Sequence, residues 1–290
     1  MLRSTREAPS RPPCRTLHTA RHVTAVALLA AVMSGAGPVA AQTPARPAAQ
    51  ARRAAAPAVP RTAEGKPNLQ GIWRVRNAAA ADLQDHAARL GMRPGMGVVE
   101  GGEIPYQPAA ARQKAENYLK RDTADPLAKC YLPGVPRIMY MDHPFHIFQT
   151  PTQIAMTFEW SHVFRVVPVN GSKPHEGIEF WMGDSRGRWD GDTLVVDVTN
   201  HNDRTWFDHA GNFHSEQLHL VERYTLLDAD TLRYEVTIED PKVFTRPWKI
   251  SMPLYRQKEM TRVLEYHCQA ETEEANGAFE RDPRTWYPKP

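Results

Sequence analysis

From Arg137 onward, apolar and polar residues alternate with a period of two, and this alternation limits what the chain can fold into more than any other feature. Leu232, Tyr234, Val236 and Ile238 alternate with Arg233, Glu235, Thr237 and Glu239, while Trp248, Ile250, Met252 and Leu254 alternate with Lys249 and Ser251. Successive side chains of a strand point to opposite faces, so each run buries one face and wets the other. Strands are predicted over residues 137–149, 153–160, 163–169, 178–182, 193–199, 217–227, 231–239, 247–255 and 262–268. Thr150-Pro151, Asn170-Gly171, Asp190-Gly191 and Asp228-Ala229-Asp230 separate them with residues suited to tight turns. The pattern predicts an all-β fold, an antiparallel up-and-down meander closed as a barrel or curved sheet.

Residues 78–129 depart from this period. Helices are predicted over 78–90 and 108–119, separated by the Gly-rich stretch GMRPGMGVVEGGEIP. This helical insertion is a cap on the barrel, either a lid over its mouth or a helix that packs in place.

The N-terminal 41 residues have the order of a Sec-type signal peptide: Arg3, Arg6, Arg11, Arg15 and Arg21, then the apolar run 23–32, then Val39-Ala40-Ala41 before Gln42. The apolar run is too short for a stable membrane span, no twin-Arg pair precedes it, and no Cys follows it to take a lipid. The expectation is a periplasmic or secreted product with no integral membrane segment after cleavage. Residues 42–62, rich in Ala, Pro and Arg, are expected to be a disordered linker. Residues 63–290 then form a single β-barrel domain, a size that one core can organise. The whole chain has 36 basic and 33 acidic residues, but nine Arg and one Glu belong to the first 62, which leaves 27 against 32. An acidic domain lacks the electrostatic footprint of nucleic-acid binding.

Cys14 leaves with the signal, so Cys130 and Cys268 remain. In an oxidising compartment they are expected to pair, the other reading being two buried thiols.

The segment 199–219, TNHNDRTWFDHAGNFHSEQLH, concentrates His201, His209, His214 and His219 with Asp203, Asp208, Glu216, Arg204 and Trp206. Loops that gather titratable and aromatic groups are where chemistry or ligands are found. If a strand begins at Gln217, residues two apart share a face, so that His214, Glu216, Leu218, Leu220, Glu222 and Tyr224 line one side and His219, Val221 and Arg223 the other. A carboxylic acid such as Glu222 on an apolar face has its pKa raised by burial toward general-acid values, unless an arginine such as Arg165 neutralises it. The candidate catalytic residues are therefore His209 and His214 as base or acid, Asp203 or Asp208 as orienting carboxylate, and Glu222 as buried acid. Trp206, Tyr224, His143, His146 and Arg165 are the candidate substrate-binding residues. A divalent metal would need His209, His214 and His219 to converge, with help from His143, His146 or His162, because their spacing of five matches neither strand nor helix faces. No cofactor is required by any motif, since phosphate loops and nucleophile elbows are absent.

Two resemblances add to this reading. Gly71-Ile72-Trp73 resembles the Gly-x-Trp that opens lipocalin-like calycin barrels, in which the Trp closes one barrel end beneath an Arg of a late strand; Arg256 or Arg262 would take that part here. The stretches GKPNLQGIW, CYLPGVPRIM, PFHIFQTPTQIAM, GDSRGRWDGDTLVVDV, HSEQLHLVERY and YEVTIEDPKVFTRPW resemble a large, mostly uncharacterised family of exported proteins of Gram-negative bacteria. These resemblances imply a lipocalin-like barrel and export, and no particular activity.

The reading that follows is an exported enzyme acting on a small apolar or aromatic molecule by His/carboxylate acid–base chemistry, of lyase, isomerase or hydrolase type. The rival is a lipocalin-like periplasmic carrier or sensor of a hydrophobic ligand. A carrier needs mainly apolar walls, whereas an enzyme needs an acid and a base within reach of one another.

Overall fold

The computed structural model describes residues 59–88 and 93–275. The signal segment, most of the linker and the end of the predicted helix 78–90 lie outside them. Among the described residues no helix is long and apolar enough to cross a membrane. Residues 59–62, assigned to the linker, belong to the fold: the Arg61 guanidinium forks onto Asp192 at 2.9 and 2.6 Å, and Asn68 N–H donates to Pro60 O.

Nine strands among the described residues form one antiparallel sheet: β1 (Gly71–Arg74), β2 (Phe145–Gln149), β3 (Gln153–Phe158), β4 (Phe164–Pro168), β5 (Asp184–Asp190), β6 (Thr193–Thr199), β7 (His219–Leu226), β8 (Thr231–Glu239) and β9 (Trp248–Arg256). Their order is β4-β3-β2-β1-β9-β8-β7-β6-β5. Every neighbour is sequential except β9 beside β1, so the sheet is an up-and-down meander that curls into a nearly closed barrel through the pairs Trp73 with Arg256 and Arg74 with Tyr255. The remaining seam lies between β4 and β5. There Gly187 permits a close approach, since a Cβ on it would come within 2.9 Å of Val167 Cγ1 and 3.1 Å of Val169 Cγ2. Arg165 of β4 crosses the seam, donating to Ser185 Oγ of β5 at 3.1 and 2.9 Å.

The alternation emerges as inside and outside. On β8 Leu232, Tyr234, Val236 and Ile238 are fully buried, and on β7 Leu220, Glu222, Tyr224 and Leu226 point inward. Three strand predictions fail. Over 178–182 only Phe180 makes a bridge, parallel to His201, and the strand is β5 instead, because the Asp190-Gly191-Asp192 turn pairs Asp190 with Thr193 and so draws the residues directly before it into the hairpin. Over 262–268 only Tyr266 bridges, to Trp160, and helix α3 (Cys268–Ala275) follows; both edges of β9 are already taken by β8 and β1. Residues 137–140 are a buried turn of 3-10 helix ahead of β2. Pro144 immediately precedes β2, which lies between β1 and β3 and is not an edge.

In the insertion, α1 (Pro108–Leu119) forms where predicted, followed by the single turn α2 (Arg121–Ala124). Residues 78–88 are turns and not helix. Side chains compete for the amides a helix would use: Asn77 Oδ1 accepts from Ala79, Asp82 Oδ1 from Gln84, and Asp208 Oδ2 from Leu83. The insertion is bonded through its backbone to β9, with Glu100 N–H to Lys249 O and Ser251 N–H to Val98 O, and to the β6–β7 loop, with His209 N–H to Ala80 O. Cys130 and Cys268 lie at disulfide distance, Sγ to Sγ 2.08 Å, and join the end of the insertion to α3.

Trp73 is fully buried at the barrel end beside the β7–β8 turn, its indole donates to Leu69 O, and Arg256 lies over its ring at 4.3 Å. Arg256, not Arg262, takes this place because it ends β9, the strand that pairs with β1. Gly71 is required beneath it: its φ is +129°, and a Cβ would overlap Arg256 Nη1. Gly71→Ala is expected to cost about 1–3 kcal/mol through that clash and the unfavourable backbone. Urea denaturation checks this, and an unchanged midpoint would mean Arg256 yields freely.

Candidate functional site

The loop from β6 to β7 folds over the barrel end opposite Trp73, where Ser215 meets Asp240 just beyond β8. It buries His201, Asn202, Thr205, Asp208, Asn212 and His214. Asp208 is fully buried; its Oδ2 accepts from Leu83 N–H and the Asn212 amide, and its Oδ1 from Asn212 N–H. Burial, and then Asp82, push its carboxyl up to about 7 against those donors. Asp208 thus staples the insertion to the loop. His214 is buried between Thr205 Oγ1, 2.7 Å from Nε2, and Ser215 O, 2.9 Å from Nδ1. A carbonyl can only accept, so Nδ1 carries the proton and Nε2 accepts from the threonine. Burial also lowers the pKa of His214, which favours that neutral form. His201 is buried with neither ring nitrogen partnered among the described residues, and burial, then His214 and Arg165, hold it well below the usual histidine range.

His209 is the exception. It is about one-third exposed and lines a cleft of about 1100 Å³ together with Ala80, Arg93, Met96, Arg121, Asp122 and Tyr140. Ala78, Ala81 and Pro94 extend the apolar part of the wall, and Arg76, Asn77, Gly95 and Asp142 complete it. His209 Nδ1 lies 3.1 Å from Asp125 Oδ2, and Nε2 lies 3.2 Å from Asp122 Oδ1. Asp125 is almost fully buried. Its carboxylate takes a two-pronged bond from Arg137 at 2.8 and 2.8 Å and accepts from Leu127 N–H, capping the short 3-10 turn 126–129. Burial alone would raise the pKa of Asp125, but the bonds from His209 and Arg137 outweigh it and bring it to about 2. The same bond, against the opposing effect of burial, raises His209 above the usual histidine value. An imidazole flanked by a carboxylate at each nitrogen is a donor on both sides, which is the protonated form. A protonated imidazole so placed can give up a proton at Nε2, the nitrogen on the Asp122 side, and once neutral can accept one there.

Inside the barrel a second polar cluster is sealed from solvent. Arg165 pairs with Glu222 through both Nη atoms, Nη1 to Oε1 at 3.1 Å, and Nη1 lies 3.3 Å from Tyr224 OH. The Tyr224 and Tyr234 hydroxyls donate to Glu222 Oε1 at 2.9 and 2.6 Å. Burial opposes the charge on Arg165, and Glu222 more than offsets that, so its pKa is raised. Glu222 is an acid satisfied by its arginine, and Tyr224 belongs to its shell and not to a cleft wall.

The remaining sequence candidates scatter. Asp203 is exposed, and Trp206 is half-buried in a bridge with Phe213. His143 packs against the stacked rings of Trp160 and Tyr266, with Glu159 3.3 Å from its Nδ1. His146 stacks on Phe148 at 4.0 Å on the outer face. His219 faces outward from β7 between Asp197 and Glu239. His214 and Glu216 precede β7 and do not share its face; Glu216 is exposed and paired with Lys242. His209, His214 and His219 therefore do not converge, and no group of three His, Cys, Asp or Glu among the described residues could hold a metal ion. Of the residues singled out in the sequence only His209 lines the cleft. Asp125, Arg137 and Asp122 were missed. One signal did point to Arg137, a lone cation heading the otherwise apolar run Ile138-Met139-Tyr140.

No protein-family model matches the chain. No curated protein matches it either.

Proposed function

We propose that this protein is an enzyme that works on a small molecule with an apolar or aromatic body by acid–base chemistry, with His209 as the proton-transferring group and Asp125 and Arg137 as its positioning residues. The observation that carries this is the hydrogen-bonded chain Arg137–Asp125–His209, which starts in the interior and ends in a solvent-accessible cleft. A buried carboxylate fixes the ring and stabilises the imidazolium, and a histidine so held is competent near neutral pH. Ala78, Ala80, Ala81, Pro94, Met96 and Tyr140 supply the wall for the apolar body. The carrier reading is disfavoured because inward positions of β4, β7 and β8 hold the Arg165–Glu222–tyrosine cluster where a ligand would need apolar walls. The paired cysteines and the N-terminal segment support export to the periplasm or beyond.

The test is a panel of small aromatic esters, epoxides and hydroxy acids offered to the wild-type chain and to His209→Gln. At least one compound is expected to be turned over, with a rate lowered by roughly 10²–10⁴ in the variant and a melting temperature within a few degrees of the wild type, since a glutamine amide can still donate to Asp125. Equal turnover by the variant, or none by the wild type, would overturn the proposal.

A further inference from the structure

Charge in the His209 cleft does not balance, and the surplus is positive. Its two acids are already engaged: Asp142 by Arg74, Nη2 to Oδ1 2.5 Å, and Asp122 by His209 at 3.2 Å and Arg121 at 3.9 Å. Arg121 is itself committed, lying over the Tyr118 ring at 4.4 Å and donating to Tyr118 O at 2.8 Å. Arg76 and Arg93 remain. Neither has an ion-pair partner among the described residues, and both line the cleft. Arg76 lies over the Tyr255 ring at 4.5 Å. Stacking through the face of a guanidinium restrains its plane and leaves the in-plane N–H fork free for a planar or tetrahedral oxyanion, which Arg binds with two parallel bonds.

We infer that the ligand of this cleft carries an anionic oxygen group, a carboxylate or a phosphate, which Arg76 and Arg93 recognise while its apolar body lies toward Ala80, Met96 and Tyr140. This inference rests on the proposed function for the choice of cleft and adds the substrate class. Arg76 and Arg93 take no part in the hydrogen-bonded chain Arg137–Asp125–His209, so the acid would be anchored by cleft residues other than the proton-transferring one.

Binding of phenylacetate, phenyl phosphate and phenylacetamide to the purified protein tests it by calorimetry. One or both anions are expected to bind about tenfold more tightly than the amide, the scale of two partly exposed charge-assisted contacts. That preference should fall below about twofold in Arg76→Ala/Arg93→Ala and shrink with added salt. The stronger anion identifies the group. Equal binding of anions and amide, no binding of any probe, or a preference that survives in the double variant would each overturn the inference. His209→Gln separates the two proposals. If it keeps both the anion preference and full turnover, the acid–base reading fails and the anion site stands; if it loses turnover while the double arginine variant keeps the preference, the reverse holds.

Discussion

Arg165→Met is expected to lower the stability of the barrel by about 3–5 kcal/mol, the usual cost of leaving a buried charge without its partner. Glu222 is fully buried, its carboxylate is held by Arg165, and the remaining bonds come from Tyr224 and Tyr234, which cannot supply a positive charge. The variant also removes the cation that spans the β4–β5 seam through Ser185, where no backbone ladder closes the sheet. Adding Glu222→Gln should recover more than half of the loss, because a neutral amide still accepts from both tyrosines and no charge is stranded. Urea denaturation of the wild type, the single and the double variant measures this. A single-variant loss below about 1 kcal/mol would mean that water reaches Glu222 in the folded state.

The second large effect belongs to Asp125→Asn, which strands the buried Arg137 and loosens His209 at once. A loss of about 3–5 kcal/mol near neutral pH is expected for the uncompensated cation. The pH dependence has a definite sign. The folded pKa of Asp125, about 2, lies below the ordinary 3.8, so its contribution, roughly 2 kcal/mol, is present above about pH 5 and is lost as pH falls toward 2. His209 is shifted the other way; its contribution is full below the unfolded value near 6.5 and is lost as pH rises through the higher folded one. In Asp125→Asn the acid limb of stability should flatten, and the His209 ring proton, followed by NMR, should titrate at lower pH than in the wild type. An unmoved His209 titration would show that Asp122 and not Asp125 sets its charge.

How much was legible follows from which interactions have a local period. The inward residues of β7, β8 and β9 could be read because a strand exposes its burial pattern every second residue. Helix α1 could be read from its composition and from Pro108 at its first position. Residues 178–182 misled because apolar content alone does not say which residues a hairpin turn will pair, and residues 78–88 because Asn77 and Asp82 capture amides two residues on while Asp208 captures that of Leu83 through a tertiary contact. Among the site residues, the loop itself pointed to His209 but not to its orienting acid. Asp203 and Asp208 were nearer in sequence, yet Asp208 turns inward to Leu83 and Asn212 while Asp125 arrives from the insertion, 84 residues away.

By itself the sequence determined the period-two strands, the turns between them, the pair of cysteines left to meet, and Gly71-Ile72-Trp73 as the start of the first strand. Only the tertiary structure decided which arginine covers Trp73, which carboxylate holds His209, and that Glu222 lies in the interior paired with Arg165. The physical reason is range. Backbone sterics and face burial act over a few residues and leave their mark in the chain, whereas the pairing of buried charges depends on β9 closing onto β1 and on the insertion folding back over the β6–β7 loop, events whose partners lie tens to hundreds of residues apart.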